Sequence, residues 1–532
     1  MNKNLRHQQS APQTKDGLDF NEQFQKVYEL LENTAQSVFI TGKAGTGKST
    51  LLRYFRDNTS KNIVVLAPTG VAAVNIQGQT IHSFFRFKPD ITLDGVGAIK
   101  IRKSQREVYQ QLDAIVIDEI SMVRADLLDC VDAFLRLHGR SKGKPFGGVQ
   151  MIMIGDLYQL PPVVASSEER EMFKTVYASP YFFDAKVFQE FRPEFIELEK
   201  IYRQKDDRFI GLLNAVRNNS VTDEHLTQLN KRLQPAFKPT TEDLYVYLTT
   251  TNDLAERVNQ EELARLKTGK RVLEGEITGD FDQKNLPTQV SLELKVGAQV
   301  MLLNNDSAGR WINGSMGRIV AIGDEKKSDP VIKVELPDGR RVEVMPYTWD
   351  MFRFFYDEEK EAIDSESVGS FMQYPLKLAW AVTIHKSQGK TFSKVIIDIG
   401  RGTFSHGQVY VALSRCTSFE GVILSKPIFK KHILMDWRVV NFMTRYQYQI
   451  SEQACSLDQK RDLLEQAIHQ KKAVDIVYLK ANDEKSRRTI QPRRVGQMEY
   501  LGKNYLGVEG FCKKRQESRV FRVDRILEIK VS

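Results

Sequence analysis

Eight residues, Gly42-Lys43-Ala44-Gly45-Thr46-Gly47-Lys48-Ser49, stand between the apolar run Ser37-Val38-Phe39-Ile40 and the helix-prone stretch Thr50–Phe55. This is the G-x-x-x-x-G-K-[ST] pattern in the strand-then-helix setting that its chemistry requires. Glycines let the backbone curl so that amide N–H groups converge on phosphate oxygens, and the helix start beyond adds the positive end of its dipole. A lysine placed like Lys48 reaches the β- and γ-phosphates, and a hydroxyl placed like Ser49 reaches Mg²⁺. The spacing predicts an ATP-type site built from Gly42, Gly45, Thr46, Gly47, Lys48, Ser49 and Thr50.

Other segments add reactive groups. Ala114–Ile117 is an apolar strand ending in two carboxylates. Beside a phosphate loop, the first (Asp118) suits Mg²⁺ and the second (Glu119) suits the general base for an attacking water. The next apolar run ends in Gly155-Asp156-Leu157-Tyr158-Gln159-Leu160-Pro161-Pro162-Val163. There Gln159 can sense the γ-phosphate and the stiff Pro-Pro can transmit that contact; a merely rigid turn is the alternative. Thr69, in Ala67-Pro68-Thr69-Gly70, and His82, in Thr80-Ile81-His82-Ser83-Phe84-Phe85, can hold backbone phosphates. Phe84 can stack on a base, as single-stranded nucleic acid requires, although phenylalanines also serve as core. Ala381-Val382-Thr383-Ile384-His385-Lys386-Ser387-Gln388-Gly389-Lys390-Thr391 is densely polar, and Gly407–Arg415 reads as a helix ending on an arginine. Ile201-Tyr202-Arg203-Gln204 supplies a second arginine. An arginine offered across a cleft stabilises transition-state charge and is worth ~10³–10⁵ in rate; either one alone would equally suit a surface ion pair.

These groups need a scaffold, and 532 residues suffice for three or four domains. The 41% apolar and 27% charged composition is that of an ordinary globular chain. No run approaches the ~18 apolar residues of a membrane span. Met1–Gly17 is polar and lacks the apolar core of a secretory signal. The scattered Cys130, Cys416, Cys455 and Cys512 suit a reduced, cytoplasmic compartment. Ser37–Ile40, Asn62–Ala67, Ala114–Ile117 and Gln150–Ile154 read as strands buried on both faces, as in a parallel sheet covered by helices. The theme resumes at Leu244–Thr249, Lys394–Ile399 and Gly421–Leu424. The fold class expected is α/β, with two phosphate-loop-type cores, the second without a loop of its own. Short strands between Gly, Asp and Pro turns over 271–370 predict a small antiparallel β-barrel inserted in the second core, and Phe87–Arg106 a protruding loop or ribbon. Beyond a linker near Ser451–Ser456 comes a separate α+β tail. From Cys455 to Ser532, 18 Lys and Arg face 11 Asp and Glu, so this tail holds +7 of the net +9. That balance suits a polyanionic partner or a solvated surface.

In this order and spacing the motifs resemble the Pif family of superfamily one DNA helicases, relatives of RecD, from about Asp19 to Lys426. The resemblance implies two RecA-like cores, at 19–196 and at 197–270 with 371–436, with ATP and Mg²⁺ in the cleft between them. It implies single-stranded DNA crossing both cores, 5′-to-3′ movement, and unwinding of duplex or fork DNA in replication, repair or recombination. The chain is expected to act as a monomer. By the same carry-over Gln23 reads adenine, and Arg203 and Arg415 are arginine fingers. Thr69, His82, Val163, Thr383, His385 and Lys386 then face DNA, and 87–106 is the duplex-splitting wedge. The remaining spans are a polar tail at 1–18 and a linker helix at 437–454. Residues 455–532 resemble WYL domains through Pro492-Arg493-Arg494, Asn504-Tyr505-Leu506 and Arg519–Ile526. Asn504 stands where that family's tryptophan usually is. Such domains imply a nucleic-acid or nucleotide-like ligand. Two other functions fit the motifs: a translocase that displaces proteins without unwinding, and a nucleic-acid-responsive ATPase regulator.

Overall fold

The computed structural model describes residues 21–531 except 165, 205, 241, 282, 284, 285, 324–329, 401, 404 and 501; the polar tail expected at 1–18 lies outside the described residues. The first core is a six-stranded sheet in the order Gln79–Thr80, Ile63–Ala67, Ala114–Ile117, Gln150–Ile154, Val38–Gly42, Glu194–Leu198. All of its pairings are parallel. The inner strands are β-branched and buried along their length, because helices cover both faces. The last strand, Glu194–Leu198, straddles the boundary expected at 196/197 and went unread in the sequence: its two glutamates, Glu194 and Glu197, do not look like part of a buried strand.

The second core is a four-stranded parallel sheet in the order Ala381–Thr383, Val246–Thr249, Val395–Ile397, Val422–Leu424. Its strands are only three or four residues long, so the covering helices Asp207–Arg217 and Gln408–Ser414 supply much of the packing.

The β-rich insertion lies between the second core's strands Val246–Thr249 and Ala381–Thr383. Its strands run from Lys270–Glu274 to Leu376–Leu378, past the expected end at 370. Where a small barrel was expected, the described residues form open sheets. One has five antiparallel strands, from Arg341–Val344 through Ile332–Glu335, Met316–Ile322 and Gln299–Leu302 to Leu376–Leu378. A long hairpin, Tyr347–Asp357 with Ala362–Gln373, leans on the first core. There the Ile363 N–H donates to Asn62 Oδ1 at 2.9 Å, and Phe354 meets Phe84 edge-on. Residues 87–106 are not a ribbon: they carry the short helix Leu93–Val96 and the start of the helix Lys103–Gln111.

The helix Trp437–Ala454 occupies the linker span. The tail then packs the helix Leu457–His469 on a five-stranded antiparallel sheet, with Leu464, Ala467, Val474, Ile476, Ile490 and Val508 at its core. Among the described residues, no helix is long and apolar enough to cross a membrane.

Candidate functional site

The phosphate loop folds as its glycines dictate. Gly45 and Gly47 have φ of +83° and +86°, and a Cβ on either would lie 2.6 Å from Arg203 Cβ or 2.7 Å from Phe24 Cζ. Thr46 Oγ1 donates to the Lys43 carbonyl at 2.9 Å. Lys48 Nζ donates to the carbonyls of Gly42 (2.7 Å) and Lys43 (3.1 Å), so the loop curls round its own lysine. The helix Lys48–Asn58 begins at Gly47 without a side-chain cap, and the N–H groups of Lys48, Ser49 and Thr50 have no partner within the helix. Burial lowers the Lys48 pKa, against the opposing pull of Asp156 and Glu119.

Asp118 and Glu119 follow directly on Ala114–Ile117 at the adjacent strand end. Glu119 sits at φ +51°, a conformation that costs a non-glycine residue of order 1–3 kcal/mol and recurs at functional sites. Burial raises both carboxylates, and Asp118 raises Glu119 further, with Lys48 and Arg415 opposing. Gln159, also buried, donates to Asp156 Oδ2 at 3.2 Å.

Both arginines converge here. Gly45 accepts from the Tyr202 N–H at 2.8 Å, which lays Arg203 against the phosphate loop. Arg203 Nη1 then donates to the Ser414 carbonyl at 3.2 Å, at the end of the second core's buried helix. Arg415 is 1% exposed and is held by the carbonyls of Val411, Ser387 and Lys390 and by Ser414 Oγ. Burial, then the neighbouring Arg203, lowers its pKa, against Glu119. Gln23 is committed at both ends of its amide: Nε2 donates to the Glu197 carbonyl (2.7 Å) and Oε1 accepts from the Glu199 N–H (3.3 Å). The glycine-lined cradle leaves the close approach that a triphosphate needs. Ser49 and Asp118 are hard oxygen donors of the kind Mg²⁺ takes.

Five of the residues expected to face DNA line two cavities. Thr69, His82 and Val163 share one of about 210 Å³ with Arg124. Burial and Arg124 lower the His82 pKa. Thr383 and Lys386 line a larger cavity of about 610 Å³, together with Val74 from the first core and Lys377 and Lys390. His385 lies beside Lys386 on the short turn His385–Ser387. Phe84 corrects the expectation of a stacking residue. It is 6% exposed, wedged edge-on between Phe85 and Tyr109, and offers no open ring face.

Several polar residues of the cleft carried no signal that sequence reasoning could use. Arg217 lies 3.6 Å from Asp156 with both side chains buried, and Tyr410 reaches the phosphate loop from the second core. Only Asp156, inside the quoted Gly155–Val163 segment, could have been found by its place at a strand end.

Residues 19–227 match the family model for PIF1-like helicases, and residues 459–531 match that for WYL domains. The human ATP-dependent DNA helicase PIF1 is 36% identical over 422 residues, 78% of this chain and 61% of the relative. The Pif1 of Bdellovibrio bacteriovorus is 32% identical over 78% of this chain and 90% of its own length. The chain thus spans about three fifths of the mammalian relatives it matches. The Pif1 of a Bacteroides species, solved with ADP-AlF4, superposes with a TM-score of 0.74 at 36% identity, covering 81% of this chain and 98% of that one. The same protein bound to ssDNA gives 0.58 at 38% identity, with the same coverage.

Proposed function

The chain belongs to the PIF1-like helicases and carries a WYL domain at residues 459–531, and on that premise we propose that it is an ATP-driven DNA helicase. It translocates 5′ to 3′ on single-stranded DNA as a monomer and unwinds duplex or forked DNA. Its four free cysteines suit a reducing cytoplasm.

One observation carries the reading: Arg203 and Arg415, tied together at the end of the second core's helix, lie within electrostatic reach of Lys48 and Glu119 in the first. A phosphate loop alone binds nucleotide. A loop met by two arginines across a cleft can make hydrolysis depend on how the cores sit.

Lys48 and the amides of Gly45–Thr50 hold the triphosphate, and Gln23 reads the base. Ser49 and Asp118 would hold Mg²⁺, which when bound neutralises charge on the β- and γ-phosphates. Glu119 takes the proton of the attacking water. Burial, then Asp118, raise its pKa to about 7, with Lys48 and Arg415 opposing only in part, which suits a base working near neutral pH. Gln159 orients at the γ-phosphate, and the two arginines stabilise the charge that develops there. Thr69, His82 and Val163 grip the strand on one core; Thr383, His385 and Lys386 grip it on the other. Cleft closure then becomes stepping where the two grips differ in affinity between open and closed forms. The ssDNA held by the Bacteroides relative supports this choice of polymer.

The test is DNA-stimulated ATP hydrolysis, and strand separation on partial duplexes with 5′ or 3′ overhangs, with Lys48→Ala as control. Unwinding from the 5′ overhang alone, lost in Lys48→Ala, is expected. Hydrolysis that survives Lys48→Ala overturns the site, and unwinding from the 3′ overhang alone overturns the direction.

A further inference from the structure

The C-terminal domain reaches into the nucleotide cleft. Its first two strands, Val474–Leu479 and Lys485–Tyr500, are joined by a tight turn in which the Asp483 N–H donates to the Lys480 carbonyl. Three residues of this turn grip four different elements. Asn482 Nδ2 donates to the Asn218 carbonyl at 3.2 Å, one residue beyond Arg217 in the second core. Asp483 is 5% exposed; its Oδ2 accepts from Tyr158 OH at 2.7 Å, and its Oδ1 accepts from Gln447 Nε2 at 3.3 Å. Lys485 Nζ lies 2.9 Å from Glu197 Oε2 and 3.2 Å from Glu199 Oε1.

Each grip lands next to a group of the proposed ATPase site. Tyr158 is the residue before Gln159, and its ring lies 3.9 Å under the Arg217 guanidinium. Arg217 faces Asp156, which accepts from both the Tyr158 N–H (3.1 Å) and Gln159 Nε2 (3.2 Å). Glu197 and Glu199 are the residues whose backbone holds the Gln23 amide. A carboxylate buried this deeply needs its partners. The Asp483 carboxylate takes its hydrogen bonds from the cleft wall (Tyr158) and the linker helix (Gln447).

We propose that the turn Asn482–Lys485 is a positioning element of the nucleotide site. Asp483 fixes Tyr158 and through it the Asp156–Arg217–Gln159 array, and Lys485 fixes the segment that holds Gln23. The C-terminal domain therefore sets the geometry of hydrolysis from outside both cores, and this role rests on the ATPase reading above. The two contacts act on different constants. Loss of the Asp483 acceptor loosens the residue at the γ-phosphate and lowers kcat, by about tenfold for a buried hydrogen bond to a charged group. Loss of Lys485 loosens the base-reading end and raises KM for ATP.

The experiment uses the full chain with saturating ssDNA. It compares wild type with Asp483→Ala, Asp483→Asn, Tyr158→Phe, the Asp483→Ala/Tyr158→Phe pair, and Lys485→Ala. Expected results are a kcat loss in Asp483→Ala, and recovery in Asp483→Asn, which keeps an acceptor for Tyr158. Tyr158→Phe should reproduce the alanine loss, with no further loss in the pair, because the two side chains act as one unit. Lys485→Ala should raise KM with kcat held; it leaves the largely buried Glu197 carboxylate without its ion partner, so its folding is checked by melting, and Tyr158→Phe, which removes a single hydroxyl, carries the test if Asp483→Ala misfolds. Unchanged kcat in a folded Asp483→Ala, additive losses in the pair, or unchanged KM in Lys485→Ala overturns the positioning role while the ATPase reading stands. A wild type without DNA-stimulated hydrolysis overturns both.

Discussion

Tyr410, on the helix Gln408–Ser414 of the second core, accepts a hydrogen bond from the backbone N–H of Ala44 in the phosphate loop at 2.9 Å. Its hydroxyl is thus bonded to one of the amides of a loop built to meet phosphate oxygens, and it bridges the two cores. Burial raises its pKa, so it stays a neutral phenol at any working pH. Tyr410→Phe removes the acceptor and frees the amide. The nucleotide-free protein is expected to lose about 1–3 kcal/mol, the usual range for a buried donor left unmet. Nucleotide should bind more tightly, because phosphate no longer competes for Ala44. Thermal melts and titration with a fluorescent ATP analogue check the two halves; weaker nucleotide binding would show that Tyr410 supports the loop instead.

Gly47 tests the loop from the other side. An alanine there must adopt φ near +86° and set its Cβ 2.7 Å from Cζ of Phe24, a buried ring on the helix Glu22–Asn33. The left-handed conformation alone costs about 1–2 kcal/mol, and displacing Phe24 adds to it. Gly47→Ala is therefore expected to melt earlier and to bind nucleotide weakly. Gly389→Ala, at φ +72° with nothing within 4 Å of the added Cβ, should show the conformational cost alone. Equal melting temperatures for the two variants would mean that the Phe24 contact is inconsequential.

The cores were legible because the strand Ala114–Ile117 and its neighbours are apolar on both faces, and an unbroken β-branched run has few other readings. The loop glycines were legible because positive φ leaves little choice of residue. Phe84 was misread because an aromatic beside polar residues suits a base stack and a core equally; only Phe85 and Tyr109, packed on it in space, decide. The strand Lys485–Tyr500 stayed hidden because its residues alternate between arginine, glutamine and small apolar types, with Pro492 at the register shift opposite Gly510. The grip of Asp483 on Tyr158 was out of reach altogether: it joins residues 325 positions apart, and neither one's surroundings in sequence mark it.

The larger cavity gives a pH dependence. Burial, with help from Lys390 and Lys386, lowers Lys377 to about 7, and burial lowers Lys390 to about 8; Asp253 and Glu256 line the same space. A lysine whose folded pKa lies below its unfolded value of about 10.4 holds fewer protons folded than unfolded in that window. The free protein should therefore gain stability as pH climbs from about 7 toward 10. DNA phosphate reverses the balance by favouring the charged amines. Binding then takes up protons, and affinity for a labelled oligonucleotide should fall over the same range at constant ionic strength. Lys377→Ala should flatten both trends; oligonucleotide affinity that is constant in pH would place the phosphates elsewhere.

The arginines give the sharpest test of the cleft. Arg203 makes one bond to the second core, to the Ser414 carbonyl, whereas Arg415 makes four and is the larger part of that helix's end. Lysine in either place keeps a charge but loses the fork of donors that meets a transferring phosphoryl group. Arg203→Lys and Arg415→Lys should each lower kcat by ~10³ or more. Binding of a non-hydrolysable ATP analogue should be little changed, because the proposed site assigns the ground state to Lys48 and the loop amides. The two should part on stability. Arg415→Lys leaves buried carbonyls of Val411, Ser387 and Lys390 short of donors and should melt well below wild type, while Arg203→Lys, partly exposed, should melt near it. A kcat within a few-fold of wild type in Arg203→Lys would remove it from the reacting phosphate and leave it as a strut between Gly45 and Ser414.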